Sequence, residues 1–257
     1  MRYVYDHDWA GEPGRIAALA ALYDPGTTAL LLRLGVDRGW RCWEAAAGSG
    51  TIARWLADRV GSAGRVLVTD LDTRYVASLS DDRLEVLRHD VRAEPPALEA
   101  FDLVHARALL EHLREPARAL RGMTRALRPG AWLVAEDVVF PPRVTDPALP
   151  LLARLDAAWR QALRDGGVDP DYGVKLPAAL ERAGLVEVRC EARVPVLRLG
   201  TPDVELLALS LEQLRPRLEG RGLVTAGEID ETLRALRTRE GTALSAIMVA
   251  AWGRRPA

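Results

Sequence analysis

The sequence predicts an α/β protein with a Rossmann-like, doubly wound sheet of seven strands. The sheet is expected to be mostly parallel with a reversed terminal strand, carrying helices on both faces and helical cap elements. Three observations lead there. From residue 40 onward, short apolar runs alternate with helical patterns. The run that ends Trp43-Glu44-Ala45-Ala46 enters a turn, Gly48-Ser49-Gly50, that opens a helix. The next run, Arg65 to Asp70, delivers a carboxylate to the same sheet edge, where nucleoside-bearing ligands bind in such folds.

Taken in order, residues 11–35 look helical, with Ile16, Leu19, Ala20 and Tyr23 at helical spacing. Asp24-Pro25-Gly26-Thr27 is expected to break that pattern and set off a second short helix ending near Gly35. Strands are expected near 41–46, 65–70, 84–89, 101–106 and 131–138, and helices near 50–61, 73–79, 115–128 and 149–166. A helix near 174–183 then ends at Gly184 and leads into one long strand, Leu185 to Val196. Two further helices are expected at 203–218 and 226–239, and the apolar run Ala243 to Trp252 reads as a terminal strand closing the sheet edge.

Composition narrows the class. Hydrophobic residues make up 49% of the 257, enough for a sizeable core, and the formal net charge is −1. The basic residues are spread along the chain with no block suited to phosphates, which argues against a nucleic-acid partner. All but Lys175 are arginine, a bias of high-GC genomes. Two cysteines, Cys42 and Cys190, cannot build a disulfide framework, and no histidine pair has metal-ligand spacing, so no metal is expected. The polar, acidic start is unlike a signal peptide and no apolar run approaches a membrane span, giving the expectation of a cytoplasmic protein without a membrane partner.

Gly48-Ser49-Gly50-Thr51-Ile52-Ala53 fits G-x-G-x-x-A, the dinucleotide fingerprint, but alone the match is weak. Glu44, four residues earlier, is an awkward neighbour for a pyrophosphate and a suitable one for a ligand ammonium group. Asp90 ends the third strand, where an adenine amino group would sit. A nicotinamide-type oxidoreductase therefore stands as an alternative rather than the leading reading.

Glu44-x-x-x-Gly48-x-Gly50, Asp70, Asp90, Phe101-Asp102-Leu103-Val104-His105-Ala106-Arg107 and Leu127-Arg128-Pro129-Gly130-Ala131 together resemble the class I S-adenosylmethionine-dependent methyltransferases. The similarity is greatest to the small-molecule branch that includes the ubiquinone and menaquinone methyltransferases, and it covers residues 24–140 best. The resemblance implies S-adenosylmethionine as cofactor and S-adenosylhomocysteine as product. It implies that the loop Glu44 to Gly50, with Ala45, Ala46 and Gly48, passes under the methionine part. Asp70 would accept from the ribose hydroxyls, Leu71 would pack on the adenine, and Asp90 would take its amino group with the backbone of Val91 beside it. His105 would lie near the cofactor's amino group and the transferred methyl. The family usually has glycine at position 46. Alanine costs little there if φ is negative and much if φ is positive.

Methyl transfer from a sulfonium is an in-line displacement that needs alignment and exclusion of water, and a base where the acceptor must lose a proton. By position His105 is the first candidate base and His7 the second. Arg107 is expected to pair with Glu111 by helical spacing, the alternative being a hold on an acidic substrate. Aromatic faces attract a sulfonium. Tyr23 is accordingly a cofactor candidate, with Tyr3, Tyr5 and Trp9 clustered at the N-terminus. Trp9, Glu136, Trp159 and Tyr172 are the candidates for an acceptor site. The chain is expected to form a single domain: 1–35 a helical lid, 36–140 the cofactor-binding core, 141–257 a substrate-side cap that completes the sheet. The expected activity is methyl transfer to an oxygen, nitrogen or carbon of a small organic molecule, in a setting of secondary metabolism. Two alternatives are a non-methylating rearrangement or cyclisation with the same cofactor, and a non-catalytic module with a decayed site. The C-terminal excursion offers a contact for a homodimer.

Overall fold

In the computed structural model, residues 4–140 and 150–257 are described. β1 (Arg41–Ala45) pairs in parallel with β2 (Arg65–Asp70) and with β4 (Phe101–Arg107). β2 pairs with β3 (Leu84–Arg88), and β4 with β5 (Leu127–Val139), again in parallel. With β6 (Val186–Arg193) and β9 (Ile247–Arg254) they form one seven-stranded sheet in the order β3-β2-β1-β4-β5-β9-β6.

The last strand is the reversed one. Gly130 N donates to Arg255 O at 2.8 Å and Arg255 N to Ala131 O at 3.0 Å, so the start of β5 meets the end of β9. This corrects one expectation: β9 enters between β5 and β6 instead of closing the edge, which β6 occupies. Its burial pattern, closed on nearly every residue, suits an interior strand.

The chain divides into two compact units. The sheet unit comprises Asp24–Asp137, Tyr172–Ala192 and Val249–Ala257. Strand alternation gives it two apolar layers. Trp43, Val104 and Leu133 share one buried cluster with Leu120, Met123, Leu176 and Leu180, from α3 (Pro116–Ala126) and α5 (Leu176–Arg182). Cys42, Leu103 and Val134 share the other with Ile52 and Leu56 of α2 (Thr51–Val60), and with Leu30 and Leu31. Leu56 is fully buried, so Leu56→Ala would cost about 2–5 kcal/mol.

The helical unit comprises the chain up to Tyr23, Val138–Asp171 and Arg193–Met248. α4 (Pro150–Asp165), α6 (Glu205–Glu219) and α7 (Ala226–Thr238) enclose Leu155, Leu163, Leu211, Leu214, Ile229 and Leu236. α7 begins with a capping box in which Thr225 and Glu228 satisfy each other's backbone N–H groups. β7 (Val196–Arg198) pairs antiparallel with β8 (Thr242–Leu244). The expected strands 185–196 and 243–252 are thereby each split, and the small second sheet was not expected.

Two helical expectations also change. Residues 12–33 form one helix, α1 (Glu12–Arg33), with Pro25 inside it. An interior proline costs about 3 kcal/mol. Burial of Leu30 and Leu31 in the next turns, roughly 1.5–3 kcal/mol each, offsets that loss. Residues 73–79 form two short 3₁₀ turns, Thr73–Tyr75 and Ala77–Leu79, in place of a helix. Asp72 accepts from Arg74 N and starts the first of them.

Candidate active site

The site grows from the C-terminal ends of β1, β2, β4 and β5, all in the sheet unit. After β1 the chain turns through Ala46 (φ 57°), Gly48 (φ 54°) and Gly50 (φ 73°), all left-handed. Ala47 N donates to Thr69 O at 3.2 Å, Gly48 N to Asp70 Oδ2 at 3.1 Å and Gly50 N to Ala47 O at 2.8 Å. Arg54 N then donates to Gly50 O at 2.9 Å and the helix is under way. A Cβ on Gly50 would overlap Leu79 Cδ1 and lie 2.9 Å from Val76 Cγ1, so the 3₁₀ turns pack directly on this glycine. Ala46 stands where a β-carbon is strained, the unfavourable one of the two cases the sequence left open.

Asp70 Oδ1 accepts from Asp72 N at 3.0 Å, so its carboxylate ties the glycine turn to the chain after β2. Leu71 is 56% exposed, an apolar face next to that carboxylate. Asp90 is held by Arg92, with Nη2 to Oδ2 at 2.6 Å and Nε to Oδ1 at 2.9 Å. The Arg92 hydrogen bond lowers the Asp90 pKa below the usual carboxylate range, against a smaller effect of burial. An adenine amino group reaching Asp90 would share it with Arg92. Val91 packs on the apolar layer of Trp43. His89, directly before Asp90, stacks edge-on to Trp43 at 5.9 Å, and burial lowers its pKa more than the Asp90 charge raises it.

Beneath the turn lies a buried ionic chain. His105 is opposite Glu44 in the β1–β4 register, and Arg107 opposite Glu136 in the β4–β5 register. His105 Nδ1 is 2.7 Å from Glu44 Oε2, and its Nε2 is 3.3 Å from Glu136 Oε2. Thr27 Oγ1 of α1 donates to Glu136 Oε2, Arg107 Nη1 donates to Thr27 Oγ1 at 2.9 Å, and Arg107 Nη2 to Asp24 Oδ1 at 2.6 Å. His105, Thr27 and Glu136 are fully buried, and Glu44 nearly so. Burial alone would lower the His105 pKa. The charge of Glu44 and the hydrogen bonds to Glu136 and Glu44 outweigh it and raise the pKa to about 9.

This chain corrects two expectations. Both ring nitrogens of His105 are taken up by carboxylates, which leaves neither for a proton from an acceptor. Arg107 pairs with Asp24 instead of Glu111, because residues 110–112 form a 3₁₀ turn and helical spacing does not apply. Thr27 and Asp24 were missed as site residues. The only signal was their place around Pro25, which read as a break.

Glu111 has a different neighbour. Asp137, the last residue of β5 within the sheet unit, accepts from Leu109 N at 3.0 Å and Glu111 N at 3.4 Å. Burial, then the Glu111 charge, pushes its pKa well up, against the pull of those backbone N–H groups.

The remaining candidates are placed as follows. Tyr172 is buried in the sheet unit among the side chains around Leu176. Trp9, Trp159, Tyr23 and His7 belong to the helical unit. The Tyr23 ring is buried beside Val138 and Met248, and its hydroxyl meets Ser245 Oγ and Ala246 O at 3.0 Å each. Trp159 is buried against Phe140, with ring centroids 5.9 Å apart. Trp9 folds its indole over Gly11, and His7 is half-buried. Tyr3 lies outside the described residues. Among the described residues no group of three His, Cys, Asp or Glu is arranged to hold a metal ion, and no helix is long and apolar enough to cross a membrane.

Residues 43–135 match the methyltransferase domain family. Methyltransferase GfsG of Streptomyces halstedii is 30% identical over 144 residues, covering 50% of this chain and 48% of that protein. The ubiquinone/menaquinone biosynthesis C-methyltransferase UbiE of Hahella chejuensis is 28% identical over 175 residues, covering 59% and 69%. The chain thus spans about half the length of the first of these relatives. In fold it is similar to the [4+2]-cyclase SpnF, with a TM-score of 0.55, 19% identity, and coverage of 91% and 81%.

Proposed function

The chain belongs to the class I S-adenosylmethionine-dependent methyltransferases, and from that premise we propose that it moves the cofactor's methyl group to an oxygen, nitrogen or carbon atom of a small organic molecule. One observation carries the reading: Asp70 bonds Gly48 N, so the ribose-binding carboxylate and the glycine turn form a single unit. The residues fit the cofactor. Glu44 gives Oε2 to His105, and its Oε1 is the carboxylate oxygen proposed for an ammonium group. Leu71 offers an exposed apolar face to the adenine, and Asp90 an acceptor for its amino group.

When bound, S-adenosylmethionine supplies an electrophilic methyl on a sulfonium. The protein's part is to fix geometry, and alignment of this kind is worth up to about 7–11 kcal/mol. His105 acts in this reading as a positioning group beneath the cofactor loop. Secondary metabolism in the cytoplasm is the proposed setting.

A second reading is favoured by one observation, the full engagement of both His105 nitrogens, which removes the best-placed base. A bound sulfonium would then act as a fixed charge for a rearrangement or cyclisation, the class of reaction for which SpnF is named.

Calorimetry with S-adenosylmethionine and S-adenosylhomocysteine tests the cofactor, and failure of both to bind overturns the proposal. Incubation with candidate small molecules and isotopically labelled S-adenosylmethionine tests the transfer. Products one labelled methylene heavier support methylation, and isomerised products of unchanged mass support the second reading.

A further inference from the structure

Glu136, Thr27 and Arg107 lie outside the glycine turn in sequence, and they form an unbroken hydrogen-bonded path toward it. The path starts on α1 at Asp24, passes through Arg107, Thr27, Glu136 and His105, and ends on Glu44, directly before Ala45. Such a buried network costs several kcal/mol to desolvate and is held only by complete pairing. A hydrophobic face would have served packing alone, as Leu103 and Val134 do beside it.

We propose that Glu136, Thr27 and Arg107 are positioning residues for the cofactor: they keep His105 charged and turned onto Glu44 Oε2, which aims Glu44 Oε1 at the cofactor's ammonium group. This rests on the proposed use of S-adenosylmethionine. Thr27 fixes Glu136 from the helix side, and Arg107 fixes Thr27, so each member has one orientation. The charged and titratable groups around His105 are Glu44 from β1, Glu136 from β5, Arg107 on its own strand and Asp24 from α1. The Cys42 thiol, near Glu44, is kept neutral by burial and by the charges of Asp102 and Glu44.

The test uses the full chain with ¹⁵N-labelled histidine, the His105 signal being identified by its loss in His105→Gln. His105 should titrate near pH 9 in the native sequence. In Thr27→Val and in Glu136→Gln its midpoint should move toward the ordinary 6.5. By calorimetry, the affinity of these variants for S-adenosylmethionine should match the native chain at pH 6 and fall at least roughly tenfold at pH 8, each unit of pKa being worth about 1.4 kcal/mol. Thr27→Ser should restore both readouts. An unchanged midpoint, or a loss of affinity equal at both pH values, overturns the proposal. If the native chain binds no S-adenosylmethionine, the functional reading falls instead, and the histidine titration still decides whether the relay exists. Should Glu136→Gln fail to fold, the near-isosteric Thr27→Val answers the same question.

Discussion

Asp70 Oδ2 accepts a hydrogen bond from Gly48 N at 3.1 Å while Oδ1 accepts from Asp72 N at 3.0 Å. The carboxylate assigned to ribose is therefore also a strut of the turn. Asp70→Ala should lose both bonds, each worth about 1.5–3 kcal/mol when one partner is charged. Calorimetry should show S-adenosylmethionine binding weakened more than about 100-fold. Asp70→Asn keeps an acceptor oxygen and should lose roughly 10-fold.

Ala46 at φ 57° carries a strain of about 1–2 kcal/mol that glycine does not. Ala46→Gly should relieve it, less the entropy of the added freedom, for a net gain of about 0.5–1 kcal/mol in denaturant unfolding. Ala46→Val adds a branch at a left-handed position and should destabilise by more than the alanine strain. A loss of stability in the glycine variant would contradict the left-handed turn.

Gly50 has no room for a side chain, since Leu79 and Val76 occupy the space. Gly50→Ala should cost about 2–4 kcal/mol, overpacking and left-handed strain acting together. Thermal unfolding checks the stability, and cofactor titration should show a parallel loss. Leu79→Ala in the same chain should recover part of both.

Asp137 should make stability fall as pH rises. Its folded pKa lies above the 3.8 of a free aspartate, so the folded state binds the proton more tightly than the unfolded state. The loss begins near pH 3.8 and is complete above the raised pKa. Asp137→Asn keeps an acceptor for Leu109 N and Glu111 N and removes the buried charge. It should stabilise the protein by about 1–3 kcal/mol at pH 7.5, with the difference closing toward pH 4. Equal unfolding curves at both pH values would refute a buried, hard-to-ionise Asp137.

Much of the sheet was legible because its strands are short apolar runs ended by glycine turns or carboxylates, as with Arg65–Asp70 and Leu84–Arg88. The motif residues followed, since Gly48, Gly50 and Asp70 are spaced by strand and turn geometry that sequence records. Pro25 misled because its local cost is outweighed by burial of residues five and six positions later, which no local pattern displays. The role of Thr27 was invisible for the same reason: it meets Glu136 from 109 residues away. His105 read as a base because sequence gives a histidine's place on a strand and not the occupants of its two nitrogens. The left-handed φ of Ala46 likewise needed the backbone, although the sequence had already marked the position.

The place of β9 has a consequence for how the chain reaches its folded state. Both strands beside it, β5 and β6, are made earlier, at 127–139 and 186–193. Until β9 (Ile247–Arg254) leaves the ribosome, each carries an open edge ready to pair with any extended strand, including one from another nascent copy. Sheet closure joins Gly130 to Arg255 across 125 residues, a long-range contact of the kind that slows folding. The cofactor side can form early from local pairings of β1 to β4, whereas the opposite flank waits until β9 has been made. Aggregation during expression should therefore track conditions that delay the C-terminal segment, and not those that weaken the glycine turn.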